Sequence, residues 1–200
     1  MASITSAHLS TLFGDTIVTK TGSVPVQEAL GGKTIGIYFS AHWCGPCRGF
    51  TPQLAQYYKD IKAKHPSFEI VFASSDRDDA SFQEYYSEMP WLALPYADRA
   101  RKDALSKKFK VQGIPTFVLI DENGNTITTD GRKAISSDPT GVDFPWKPPT
   151  LEEALGDEFI KNDGTVVTRA SLAGKKLALY FSAHWCGPCR GFTPELVKMY

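Results

Sequence analysis

No apolar stretch in these 200 residues approaches the roughly 20 that a membrane-spanning helix needs, so a membrane partner is not expected. Met1 to Leu12 is polar and rich in Ser and Thr, with no basic segment ahead of an apolar core, and no secretory signal is visible. Excess charge of one sign is missing too. The 22 Lys plus Arg are matched by 22 Asp plus Glu, which removes the drive to bind a phosphate backbone and argues against nucleic acid as a partner. No Gly-x-Gly-x-x-Gly turn follows an apolar strand, so the chain lacks the fingerprint for holding a nicotinamide dinucleotide itself. Cysteine is scarce. The four are Cys44, Cys47, Cys186 and Cys189, in two Cys-x-x-Cys pairs with none left to staple a loop. That usage points to a reducing compartment, cytoplasmic or nuclear, rather than to a secreted disulfide scaffold.

What is present is ordinary globular composition, 42% hydrophobic and 22% charged, which argues against a chain disordered throughout. Its largest organisational fact is repetition. Tyr38-Phe-Ser-Ala-His-Trp-Cys-Gly-Pro-Cys-Arg-Gly-Phe-Thr-Pro52 recurs unchanged from Tyr180 to Pro194, an offset of 142 residues when Trp185 is set against Trp43. A period of that size is too long for a solenoid unit and means tandem domains. The turn-rich stretch Ser137 to Thr150 lies between the copies. The expected organisation is one complete domain over residues 1–145, a Pro-rich linker over 146–153, and the N-terminal part of a second domain over 154–200. On this reading the chain is a fragment of a longer multidomain protein.

In the complete copy, Thr34 to Ser40 and Phe68 to Ala73 are near-continuous apolar runs that predict buried strands. Between them, Phe50, Leu54, Tyr57, Tyr58 and Ile61 return at helical spacing, predicting a helix over Cys47 to Lys64 that Pro52 interrupts and kinks. A helix capped by Asp79 or Ser81 and running to Glu88, another over Arg99 to Phe109, a strand over Thr116 to Ile120 and a hairpin return over Thr126 to Thr129 complete the pattern. Alternating elements of this kind make an α/β domain whose mixed sheet is flanked by helices. In the second copy, Leu177 to Ser182 is expected to be the equivalent buried strand, left exposed because its later partner strands are missing.

Cys44 falls where a strand ends and a helix begins. Unpaired N–H groups and the helix dipole there favour a thiolate. Cys47 lies one turn deeper, within disulfide reach, so the pair can attack a disulfide, form a mixed disulfide and resolve it internally. Pro46 suits the first helical turn, where a missing N–H costs nothing. A zinc site fits poorly, because the pairs are 142 residues apart and no His falls at ligand spacing. No metal site is expected.

Trp43-Cys-Gly-Pro-Cys47, Pro52 five residues on, and Gly113-Ile-Pro-Thr116 ahead of a strand together resemble the thioredoxin superfamily. The fifteen-residue repeat, Met89-Pro-Trp-Leu-Ala-Leu-Pro95 and Phe144-Pro-Trp-Lys147 narrow the resemblance to its nucleoredoxin and tryparedoxin branch, fully over about residues 12–150 and partially over 154–200. The resemblance implies the thioredoxin fold. It implies Cys44 as attacking and Cys47 as resolving cysteine, with Cys186 and Cys189 as a second redox pair. It also implies a cis Ile114–Pro115 bond facing them, with the Ile114 backbone pairing with a substrate peptide and Trp43, Gly45 and Pro46 completing the substrate face. Two departures stand out. Tyr38 occupies the place of the buried Asp of ordinary thioredoxins, and Ser75-Asp76 stands where tryparedoxins carry Trp-Asp. The Gly-Pro between the cysteines is the thioredoxin form, which goes with reduction.

The expected function is therefore reduction of protein disulfides. Electrons come ultimately from NAD(P)H through a separate thioredoxin reductase or a glutathione-type low-molecular-weight thiol. A redox-sensitive adaptor that uses its cysteines as a switch is the alternative, and an isomerase or chaperone is a third. Arg48, in the first helical turn, opposes the helix dipole and so hints at a role near the thiolate or an acidic substrate. His42 and His184 adjoin the motif, but an unperturbed imidazole is mostly neutral at pH 7 and they read as solvent-facing bystanders. Tyr57, Tyr58, Tyr85 and Tyr86 read as packing residues.

Overall fold

The structure, a computed structural model, describes residues 5–200. It separates into two compact units, one reaching Pro148 and the other beginning at Pro149. The first unit opens with α1 (Thr5–Phe13), the hairpin β1 (Thr16–Thr19) and β2 (Gly22–Pro25), and the short α2 (Val26–Leu30). Then come β3 (Thr34–Ser40), α3 (Gly45–Lys64), β4 (Phe68–Ser74), α4 (Asp79–Ser87) and β5 (Leu92–Ala93). It closes with α5 (Arg99–Lys108), β6 (Thr116–Ile120), β7 (Thr126–Thr128) and α6 (Gly131–Ser137). The seven strands form one mixed sheet in the order β2-β1-β5-β4-β3-β6-β7, the central mixed sheet of a thioredoxin fold. No helix among the described residues is long and apolar enough to cross a membrane.

The apolar runs are continuous because both faces of the sheet are covered. β3 and β4 run parallel from Thr34 opposite Phe68 to Ser40 opposite Ser74, and β6 runs antiparallel on the other side of β3. Strand alternation then splits the core in two. Tyr38, Phe72 and Phe117 pack with Phe50, Leu54, Phe82 and Tyr85 of α3 and α4. Ile35, Ile37, Phe39 and Val71 face the opposite way, onto Leu9, Phe13, Leu30 and Leu105 of α1, α2 and α5.

Gly36 sits on the α3 face of β3, where an added Cβ would lie 2.4 Å from Phe117 Cζ. That is a steric demand for glycine. Gly36→Ala is expected to destabilise the domain by about 1–3 kcal/mol, the cost of overpacking a tight core, read from chemical denaturation.

Several expectations need correction. α3 is one unbroken helix through Pro52, which lies exposed where losing one hydrogen bond is least costly. The cap of α4 is Asp78, whose carboxylate accepts from Ser81 N–H at 2.8 Å, rather than Asp79 or Ser81. The first compact unit runs on to Pro148. The Asp138 carboxylate accepts from the N–H groups of Val142, Asp143 and the Trp146 indole at 2.8–2.9 Å. These bonds fold Phe144 onto Phe68 and His65, and Trp146 onto Phe144.

Partial burial pushes Asp138 up, but the surrounding N–H donors outweigh it and hold the carboxyl below its ordinary value. A depressed folded-state value stabilises above the unfolded pKa of about 3.9 and is lost as pH falls through the folded one. The stability advantage of wild type over Asp138→Asn is thus expected to be intact at neutral pH and to shrink below about pH 4, measured by urea melts.

In the second unit, α7 (Leu151–Leu155) is closed by a Thr150–Glu153 capping box. A two-stranded hairpin follows, β8 (Glu158–Ile160) with β9 (Val166–Thr168), and the unit ends in α8 (Gly187–Met199). The expected strand over 177–182 does not form, and Phe181 is 86% exposed. Its first-copy equivalent pairs on both sides, with β4 and β6, and residues 149–200 supply no such neighbours.

Candidate redox site

β3 delivers the chain to the site at Ser40, and Ala41, His42 and Trp43 turn it into α3. Cys44 is the N-cap residue in extended conformation (φ −85°, ψ 107°), so its sulfur takes the place of a capping oxygen. The Cys47 N–H donates to Cys44 Sγ at 3.2 Å, and no acidic side chain occupies the first turn. A developing negative charge on Cys44 would meet one aimed donor and the positive end of a twenty-residue helix. The two sulfurs are 2.19 Å apart, the oxidised pair. Cys44 is 5% exposed and Cys47 fully buried, so Cys44 alone has an edge toward solvent.

The preceding turn is pinned from β4. Asp76 accepts the His42 N–H at 2.7 Å and the Ser74 hydroxyl at 2.8 Å. Trp43 donates from Nε1 to the Ser75 carbonyl at 3.1 Å and leaves its ring 55% exposed beneath the Arg77 guanidinium. Ser75-Asp76 therefore holds the redox turn through one carbonyl and one carboxylate.

Across from the cysteines, Cys44 Sγ lies 3.7 Å from the Ile114 carbonyl oxygen, and the Ile114–Pro115 bond is cis. Arg132, from α6, donates to the Pro115 carbonyl at 3.1 Å. A cleft of about 530 Å³ runs beside this loop, lined by Phe109, Lys110, Ile114, Pro115, Thr116 and Arg132 among others.

Of the residues singled out from sequence, Trp43, Cys44, Gly45, Pro46 and Cys47 are contiguous on the turn and first helical coil, and Ile114 and Pro115 are brought to them. Arg48 is exposed and points to no acidic partner among those described. His42 is no bystander: its ring stacks on Tyr85 at 5.5 Å with 27° between planes, and its Nδ1 lies 3.7 Å from Glu84. Tyr38 is fully buried, and its hydroxyl contacts Thr51 Oγ1 at 2.9 Å, Ser40 Oγ at 3.1 Å and the Cys47 carbonyl at 3.4 Å. Burial pushes that hydroxyl well above its ordinary range, so it stays protonated and cannot serve as the proton acceptor a buried carboxylate would be.

Three residues of this site escaped the sequence reading: Asp76, Thr51 and Tyr85. Asp76 stands out in the sequence only as a departure from the tryparedoxin pattern. Thr51 lies inside the repeat, which is the one signal that could have flagged it.

The second copy rebuilds only the turn. Cys186 and Cys189 are 2.24 Å apart and the Cys189 N–H donates to Cys186 Sγ at 3.3 Å. Trp185 is 88% exposed, and no described residue of this unit stands opposite as Ile114 and Pro115 do.

A seven-stranded mixed sheet with a Cys-x-x-Cys pair at the start of the helix after the interior strand β3, facing a cis-proline loop, defines a thioredoxin-fold redox domain. Residues 31–126 match the family described as Thioredoxin-like. Probable nucleoredoxin 1 of Arabidopsis thaliana is 38% identical over 96% of this chain and 36% of its own length. Nucleoredoxin of Homo sapiens is 45% identical over 69% of the chain and 32% of its own length. The structure of tryparedoxin from Trypanosoma brucei superposes with a TM-score of 0.66 at 40% identity, covering 70% of this chain and 98% of that one. The chain belongs to the thioredoxin-like family, in its nucleoredoxin and tryparedoxin branch, a thioredoxin-fold oxidoreductase related to the nucleoredoxins. It spans about a third of the length of these nucleoredoxins.

Proposed function

We propose that this chain reduces disulfides in protein substrates through Cys44 and Cys47. The observation that carries the reading is the placement of Cys44: capping α3, receiving the Cys47 N–H, and lying 3.7 Å from the Ile114 carbonyl oxygen. The Cys44 thiolate attacks a substrate disulfide and forms a mixed disulfide, and one substrate sulfur leaves and takes up a proton. Cys47 then attacks Cys44 Sγ, closes the Cys44–Cys47 disulfide and releases the second substrate thiol. Two electrons pass from the dithiol to the substrate. Trp43, Gly45, Pro46, Ile114 and Pro115 make the face on which the substrate peptide lies, and Tyr38 and Arg48 tune it.

The oxidised pair is returned to the dithiol by a thioredoxin reductase drawing on NAD(P)H, or by a glutathione-type thiol. A reducing compartment, cytoplasmic or nuclear, fits the free use of both cysteine pairs. The deciding measurement is turbidimetric insulin reduction with NADPH and thioredoxin reductase, repeated with glutathione and its reductase. Sustained NADPH consumption in either arm supports a reductase. Negligible turnover in both arms, with the cysteines still oxidised and reduced reversibly, would instead favour the adaptor reading, in which the pair is a switch.

A further inference from the structure

Beneath Cys47, in the core between the sheet and α3 and α4, lies a patch that is neither apolar nor charged. Ser40, Tyr38, Thr51 and Tyr85 are each no more than 2% exposed, and their four hydroxyls close a ring. Ser40 to Tyr38 is 3.1 Å, Tyr38 to Thr51 2.9 Å, Thr51 to Tyr85 2.5 Å, and Tyr85 back to Ser40 3.0 Å. Two further contacts leave the ring for one atom, the Cys47 carbonyl oxygen: Thr51 Oγ1 at 3.0 Å and Tyr38 OH at 3.4 Å. Six contacts share four hydroxyl protons. The carbonyl can only accept, so with Thr51 and Tyr38 donating to it the protons of Ser40 and Tyr85 serve two of the four ring contacts, Ser40 to Tyr38 and Tyr85 to Thr51.

Local geometry alone does not require this ring. In the second copy Tyr180 and Thr193 reach the Cys189 carbonyl at 3.2 and 2.8 Å and each other at 2.9 Å, with no hydroxyl in the place of Tyr85. What the folded domain adds is Tyr85, brought from α4 onto Thr51. The other side of the same ring carries the stacked His42, so Tyr85 touches the redox turn both before Cys44 and after Cys47.

We propose that Thr51 and Tyr85, with Tyr38 and Ser40, are positioning residues for the resolving step, gripping the Cys47 carbonyl so that its sulfur is held in line with Cys44 Sγ. This rests on the reductase reading above, in which Cys47 resolves a mixed disulfide at Cys44. In that step the Cys47 sulfur forms a bond to Cys44 Sγ as the Cys44–substrate bond breaks. The Cys47 proton passes to solvent or the departing thiolate, and the hydroxyls keep theirs. The ring supplies orientation, which governs an intramolecular displacement, whereas the first attack depends on Cys44, which it does not touch.

Single-turnover reaction with a chromogenic bis(nitrobenzoate) disulfide separates the steps, since one coloured thiolate leaves on attack by Cys44 and a second on resolution by Cys47. The protein is used with Cys186 and Cys189 replaced by serine so that only the first pair reports. In Thr51→Val and Tyr85→Phe the second release is expected to slow about fivefold or more, the scale of one buried neutral hydrogen bond, with the first release unchanged within about twofold. Thr51→Ser, which restores the hydroxyl, returns the second release to the wild-type rate. An unchanged second release overturns the proposal. So does equal slowing of both releases, which a general loosening of the helix start produces, or a Thr51→Ser protein as slow as Thr51→Val. Cys47→Ser is the separate control: a second release that persists there refutes the resolving role itself, whatever the hydroxyl variants do.

Discussion

Replacing Cys44 by serine is expected to cut disulfide reduction about a thousandfold or more, since a serine hydroxyl is not ionised near neutral pH and cannot stand in for a thiolate. The companion variant separates the roles. Cys47→Ser keeps the attacking sulfur at its N-cap and removes the only nucleophile 2.19 Å away, so a mixed disulfide through Cys44 accumulates and is seen by intact mass. In reduced wild type, iodoacetamide should reach Cys44 well before the fully buried Cys47. Cys186→Ser should retain most activity, because its pair sits on a turn with neither a sheet behind it nor a docking loop opposite. Equal losses from Cys44→Ser and Cys186→Ser would show that both pairs work, and preferential labelling of Cys47 would reverse the assignment.

The largest stability loss is expected at Trp91. It is 2% exposed, and its indole meets the rings of Tyr38 and Tyr58 edge-on at 6.0 and 5.7 Å, in the cluster behind the redox helix. Trp91→Ala opens a cavity there and should cost about 3–5 kcal/mol, lowering the melting temperature by about 10 °C or more in a domain of this size. The indole N–H has no hydrogen-bond partner among the described residues. Trp91→Phe therefore forfeits no bond and should cost under about 1.5 kcal/mol, provided the smaller ring keeps its aromatic edges. Thermal melts of the two variants give the comparison, and equal losses would mean that the site does not depend on filled volume.

The parts of this fold legible in the sequence are those whose pattern is complete within a few residues. β3 and β4 are apolar on both faces, α3 repeats its apolar positions every turn, and the Asp121–Gly124 turn announces a hairpin. β5 was invisible because two residues, Leu92 and Ala93, carry no period, and only β1 and β4 on either side make them a strand. The strand expected over 177–182 failed for the converse reason: its composition suits a central position that this unit does not supply. At the site, the cysteines and the Ile114–Pro115 loop were readable because their chemistry is carried by a short motif. Tyr85 was not, since its partners Ser40 and Thr51 lie 45 and 34 residues away and its own neighbours look like a packing face.

Gly36 also marks where β3 and its repeat are not interchangeable. The segment that repeats β3 differs from it at four of seven positions: Thr34 becomes Lys176, Ile35 Leu177, Gly36 Ala178 and Ile37 Leu179, while Tyr38 to Ser40 is retained as Tyr180 to Ser182. The residue it would bring to the place of Gly36 is Ala178. Its methyl group would fall where Phe117 already lies, 2.4 Å from the glycine's missing Cβ. One hydrogen in place of a methyl thus makes β3, and not its repeat, the segment that fits against Phe117.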